Sequence, residues 1–189
     1  SHAEPSIAEW QSHKSITVID LVASGLHKES YPIVGGWSVD DEQAPEAALI
    51  RPAADWTKTD FSDAAHTIHA IAYEALLEQG FQDAVGERLD KAWRGAILVS
   101  DNPPADGKWL ERLYSAADRA CPRPLTGFDA LDATLAIEQG LTYADLAKIR
   151  TAADHCWPIP HRAGPDALRL NRIARAVADF RKNVLMNDS

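Results

Sequence analysis

Four consecutive residues, Ile16-Thr17-Val18-Ile19, run straight into Asp20. The run is β-prone and apolar on both faces, which suits a central strand covered from two sides. A chain carrying such a strand needs helices or a second layer on each face of its sheet. With 189 residues, 46% of them hydrophobic, there is enough apolar material for one domain of that kind. No apolar run approaches the ~18–20 residues that span a bilayer, so no membrane role is expected. The chain has only two cysteines, Cys121 and Cys156, too few for a disulfide scaffold or a thiolate zinc site, and this favours a cytoplasmic setting. A net charge of −9 makes it a poor non-specific binder of long duplexes, because affinity there comes from neutralised phosphates. Short nucleic acid remains open to it if metal ions supply positive charge.

Residues 1–14 are polar, begin Ser1-His2-Ala3, and read as the remainder of a tag followed by a flexible segment. Residues 15–185 read as a single domain. After the first strand, Ala23-Ser24-Gly25-Leu26 makes a turn. Strands are expected over Ile33–Val39, loosened by Gly35 and Gly36, and over Ala47–Arg51, ended by Pro52; their short spacing suggests an antiparallel meander. Helices are expected over Ser62–Gln79 (with a break near His69), Phe81–Trp93, Asp106–Arg119, Ala133–Gln139, Thr142–His155 and Pro165–Val184. Further strands are expected at Ala96–Val99 and Thr126–Leu131. Strands first and strand–helix alternation afterwards define an α/β layered domain.

Three aspartates stand at the ends of these apolar elements. Asp20 ends the first strand on the face of Ile16 and Val18. Asp166 opens the last helix, four residues before Leu170 on the stripe that continues through Ile173, Val177 and Phe180. Asp106 lies on the line of Leu110 and Leu113 in the first turn of its helix. A turn-forming Asp or an N-cap accounts for each position singly. Three inward acids at element ends together suggest one shared site. Carboxylates held close repel and their pKa values rise unless divalent cations compensate. Mg²⁺ or Mn²⁺ suits such a set, and two ions ~3.5–4 Å apart activate a water and stabilise the leaving oxygen of a phosphodiester. His161, five residues before Asp166, has the chemistry of a general base, though an exposed loop histidine fits the position as well.

At these residues the chain resembles the DEDDh 3′–5′ exonucleases, the group that includes RNase T, oligoribonuclease and the proofreading exonuclease subunit. Their first motif, a strand ending D-x-E before a T/S-G-L turn, is represented by Val18-Ile19-Asp20-Leu21-Val22-Ala23-Ser24-Gly25-Leu26. Their second, an apolar strand followed by H-N-x-x-F-D, is represented by Leu98-Val99-Ser100-Asp101-Asn102-Pro103-Pro104-Ala105-Asp106. Their third, H-x-x-x-x-D, is His161-Arg162-Ala163-Gly164-Pro165-Asp166. Leu49-Ile50-Arg51-Pro52 and Ile68-His69-Ala70-Ile71 look like two intervening stretches of the family. The order holds over roughly residues 15 to 180. The resemblance implies an RNase H-like fold, a mixed five-stranded sheet flanked by helices. It also implies a metal-dependent exonuclease that removes 5′-mononucleotides from the 3′ end of short single-stranded RNA or DNA. Residue by residue it implies Asp20, Asp106 and Asp166 as ligands of two Mg²⁺ or Mn²⁺ ions and His161 as base. Ser24, Gly25, Leu26, Asn102 and Arg162 become nucleic-acid contacts, nucleoside monophosphate a ligand and a homodimer the assembly.

One departure stands out. The Glu of the first motif is Val22 here, and Val22 ligates nothing; Asp101 and Glu29 are the acids nearest to substituting. A weakened exonuclease and a pseudo-exonuclease that binds nucleotides or a protein therefore both remain open. So does an all-α ribonuclease reading through the R-x₄-H pair Arg150 and His155, which the β-type runs disfavour. Arg162, Arg169 and Arg172 suit either a phosphate path or a solvated helix face. Trp37, Trp56 and Trp157 suit either base stacking or the core.

Overall fold

The structure is a computed structural model describing residues 16–39, 44–62, 70–155 and 162–180. Its elements are β1 (Ile16–Ala23), β2 (Pro32–Ser38), β3 (Glu46–Leu49), a short 3₁₀ turn (Lys58–Asp60), α1 (Tyr73–Leu76), α2 (Gln82–Trp93), β4 (Ile97–Ser100), α3 (Pro103–Ala116), β5 (Leu125–Gly127), α4 (Phe128–Gln139), α5 (Tyr143–His155) and α6 (Ala163–Ala178). The five strands form one sheet in the order β3-β2-β1-β4-β5. β1, β2 and β3 pair antiparallel, the expected meander, whereas β4 and β5 run parallel to β1. This mixed sheet with helices on both faces is the expected RNase H-like fold, and it excludes the all-α reading.

β1 lies at the centre, as its two apolar faces require. Ile19 and Leu21 point into a cluster with Leu89 of α2 and Leu110, Leu113 and Tyr114 of α3. Ile16 and Val18 point the other way, against Phe128 and Leu131 of α4 and Ala167, Leu170 and Ile173 of α6. Side chains alternate between the two layers with the two-residue period of the strand, and both layers bury them.

Several element boundaries differ from expectation. β1 continues to Ala23, so Asp20 is inside the strand and not at its end. The stretch Thr126–Leu131 is strand only to Gly127; Phe128 starts α4, because Phe128, Leu131 and Leu135 fall at helical spacing and are all buried. α3 begins at Pro103, not Asp106. The Asn102 side chain caps it by accepting from the Ala105 N–H at 3.5 Å, and proline is tolerated in the first turn where no N–H is needed. Of the expected helix Ser62–Gln79, the described residues hold only α1, and 63–69 lie outside them.

α6 is fastened to the sheet by one polar side chain. Asn171 is fully buried, and its Nδ2 donates to the carbonyl of Ile16 at 3.0 Å and to that of Ser38 at 2.9 Å. A single amide thus satisfies backbone acceptors of two neighbouring strands. Replacing Asn171 with Leu leaves both carbonyls without this donor, at about 1–3 kcal/mol for each buried group. Asn171→Leu is expected to unfold at a clearly lower urea midpoint than the parent protein. An unchanged midpoint would show that the clamp contributes nothing.

Candidate active site

The site is built where β4 stops and β1 continues. The last parallel pair is Ile19 with Ser100, and β1 runs on four residues to Ala23. Beyond that pair the backbone of β1 has no strand on this side. The carboxylate of Asp106, carried by the first turn of α3, fills the gap and accepts from the Leu21 N–H at 3.3 Å and from the Ser100 hydroxyl at 2.5 Å. The Ser100 hydroxyl in turn accepts from the Asn102 N–H at 3.0 Å. Asp106 is only 5% exposed. Such a crevice at the carboxyl ends of parallel strands is the usual ligand position in open α/β sheets.

Asp20 faces the opposite layer, toward α6. Across the antiparallel ladder it pairs with Gly36 of β2. A Cβ on Gly36 would lie 2.3 Å from the carbonyl carbon of Ala163 and 2.5 Å from the Gly164 nitrogen. The first turn of α6 therefore rests directly on the β2 backbone, beside Asp20. Three residues on, Asp166 is within hydrogen-bond reach of Asp20, a contact that favours the protonated Asp20 carboxyl. Burial, then the charges of Asp106, Asp166 and Asp101, push the Asp20 carboxyl up to about 7. Burial pushes Asp106 up to about 6, against the hydrogen bonds from Ser100 and the Leu21 N–H that favour its ionised form. Asp101 follows the last β4 residue, exposed at the rim, and its charge raises both.

The structure thus gathers Asp20, Asp106, Asp166 and Asp101 around one end of β1. Asp20 and Asp166 touch, while Asp106 is turned into the sheet. Among the described residues no three His, Cys, Asp or Glu side chains stand close enough to hold one ion together. The all-oxygen donor set fits a hard divalent cation at the Asp20–Asp166 pair. It does not fit two fully ligated ions in this arrangement. Val22, half-buried and paired with Val34, packs among apolar residues and offers no donor. Glu29 is exposed in the turn after β1. His161 and Trp157 lie outside the described residues.

The remaining sequence-derived positions divide by what already occupies them. The Ser24 hydroxyl is buried; it donates to the Asp60 carbonyl at 2.9 Å and accepts from the Tyr31 N–H at 3.0 Å. Gly25 is close-packed, with a Cβ there 3.0 Å from both the Ser30 hydroxyl and Ser62. Leu26 is fully exposed. Asn102 and Arg162 are exposed at the starts of α3 and α6. Trp37 and Trp56 are buried in the core. Arg169 pairs with Asp154, and Arg150 with the buried Asp132. Sequence reading passed over Ser100, Asn171 and the contact role of Gly36. Of these only Gly36 carried a signal, since a glycine inside a strand marks close approach of another backbone.

No family model matches the sequence, and no curated protein is significantly similar to it. Solved structures show the fold: the chain has that of the DEDDh exonucleases. It superposes on the nuclease domain of 3′hExo, a DEDDh family member bound to rAMP, at a TM-score of 0.61 and 14% identity over 90% of this chain and 93% of that one. Cell-death related nuclease 4 matches at 0.62 and 12% identity over 86% of this chain and 63% of that one. Product-bound exonuclease I matches at 0.57 and 14% identity over 92% of this chain, which spans 45% of that one.

Two predictions follow from the geometry. In Gly36→Ala the new methyl group must displace the start of α6, separating Asp166 from Asp20. The variant is expected to lose about 1–3 kcal/mol of stability, read by urea denaturation, and overpacking of this kind has no cheap relief against backbone. Second, a carboxyl whose folded pKa exceeds its unfolded value binds more protons when folded, so stability falls as pH rises from about 4 to about 7. The metal-free protein should melt lower at pH 7.5 than at pH 5, and Asp20→Asn should shrink that difference. A pH-independent melting temperature between these values would refute the coupling.

Proposed function

We propose that the chain is a metal-dependent 3′–5′ exonuclease that hydrolyses the terminal phosphodiester of short single-stranded nucleic acid, RNA or DNA, to 5′-mononucleotides. The observation that carries this reading is the meeting of Asp20 with Asp166 where β1 outruns β4 and Asp106 is also turned in. Bound Mg²⁺ or Mn²⁺ would lower the pKa of a water and neutralise charge on the phosphate. Asp20 and Asp166 would hold that ion, Asp20 giving up its proton. Asp106 is the third donor of the reading, and to serve it must leave the Leu21 N–H. His161 is the proposed base and Arg162, exposed beside the site, a phosphate contact. Leu26, bare at the tip of the turn, offers an apolar surface for the terminal base, and Gly25 sets that turn. The test is a time course on a short labelled oligonucleotide, as RNA and as DNA, with Mn²⁺ and with chelator. Mononucleotide release that needs the ion supports the reading; an internal-cleavage ladder or full activity in chelator overturns it.

The absence of a third close donor among the described residues and the presence of Val22 favour a second reading, a catalytically impaired relative that binds nucleotides or a partner. The two separate on one substitution. Positions 20 and 22 share a strand face about 6.5–7 Å apart. Val22→Glu is expected to raise divalent-ion affinity, measured by calorimetry, and the exonuclease rate at least tenfold, about 1.4 kcal/mol. Adding Asp166→Asn should abolish the gain. Two inert proteins would leave the binding reading.

A further inference from the structure

On the outer side of α3, away from the carboxylates, lies a cleft of about 650 Å³ between the helix and residues Asp55 and Trp56. Lys108 and Arg112, one helical turn apart, line it. Neither makes an ion pair among the described residues. Lys108 Nζ sits 4.5 Å from the Trp109 ring centre and Arg112 Cζ 5.7 Å from that of Trp56. Of the two acids in the lining, Glu111 is bound to Arg123, leaving Asp55 against two cations. Elsewhere in the described residues Lys58, Arg88, Lys91, Arg119, Arg150 and Arg169 each face a carboxylate. A pair held only by aromatic faces is a pair open to an anion.

The wall of this cleft is joined to the turn that follows β1. Trp56 stacks on Tyr31, with ring centres 5.3 Å apart, and the Tyr31 hydroxyl donates to the Thr57 carbonyl at 2.9 Å. The Ser62 N–H donates to the Ser24 carbonyl at 2.8 Å. The wall of the cleft is thus tied through the interior to the turn at Gly25 and Leu26, and α3 carries Asp106 in its first turn and the two cations within the next two turns.

We propose that Lys108 and Arg112 bind backbone phosphates of a single strand whose 3′ end occupies the carboxylate crevice, an extension that rests on the exonuclease reading. The ligand is phosphate and not base, because Trp56 is only 4% exposed, covered by Tyr31 on one side and Arg112 on the other. Cations of this kind act without reading sequence, and each phosphate neutralised on a single strand adds about 0.7 to the salt slope of binding.

The experiment measures fluorescence anisotropy of a labelled single strand of about eight nucleotides, with a dinucleotide and AMP as short competitors and inorganic phosphate as a free-anion control, across a salt series in chelator. Lys108→Gln/Arg112→Gln should bind the longer strand about fivefold more weakly and lose about 1.4 from its salt slope. Its affinity for AMP and the dinucleotide should not change. Lys108→Gln alone, whose ammonium lies over Trp109 while Arg112 lies over Trp56, should lose about half of that slope and guards against a disturbed Trp56. An unchanged slope in the double variant overturns the proposal, as does an equal loss of AMP binding or a cleft that takes inorganic phosphate but no strand. If the variant loses strand binding while the parent releases no mononucleotide in Mn²⁺, the cleft stands and the exonuclease reading falls. If the parent degrades the strand and the slope is unchanged, the reverse holds.

Discussion

The seating of α6 on Gly36 is the contact on which the arrangement of the site depends. Helices normally stand off a sheet by the length of the side chains between them. Here the missing Cβ of Gly36 lets the backbone at Ala163 and Gly164 touch the strand. Gly36 is also the ladder partner of Asp20, so the closest approach of helix to sheet occurs beside that acid. Asn171, two turns along α6, fixes the other end of the contact by bonding the carbonyls of Ile16 and Ser38. Close approach and a buried amide together leave Asp166 little freedom but to meet Asp20.

The opposite face solves a different problem. A strand that outruns its parallel neighbour exposes amides inside the protein, and buried amides need partners. Asp106 supplies one for Leu21, at the cost of burying a carboxylate. The same oxygen atoms that complete the sheet are those a cation would draw away. The proposed role of Asp106 as a metal donor would therefore compete with sheet completion, and Ser100, bonded to both Asp106 and Asn102, is placed to feel such an exchange.

Much of this architecture was legible in the chain. The two-faced apolar run at Ile16–Ile19 announced the central strand, and the short spacings announced the meander. The stripe from Asp166 through Leu170 and Ile173 announced which way α6 faces. Boundaries were less legible. β5 was read too long because Leu131 suits a strand as well as a helix, and only the helical spacing of Phe128, Leu131 and Leu135 against α6 decides it. Asp20 was placed at a strand end because sequence shows a turn signal at Ala23-Ser24-Gly25 but not how far the ladder reaches. The meeting of Asp20 with Asp166 was legible as orientation; the inward turn of Asp106 was not, since it depends on where β4 stops. Nothing in the sequence sets Lys108 and Arg112 apart; only the cleft beside them does.

The two edges of the sheet are short, four residues in β3 and three in β5. β3 carries Glu46, which accepts from the Trp37 indole and lies near Arg88, and its far end is closed by the bridge from Ile50 to Gly80. Few backbone groups are left on either border to template a strand from another chain, and a charge stands guard over one of them. A protein built this way resists fibrous self-association by geometry. Among the described residues the large apolar groups that remain in water, Leu26, Leu77, Phe81, Ile137 and Tyr143, stand on helices and turns and not on the sheet.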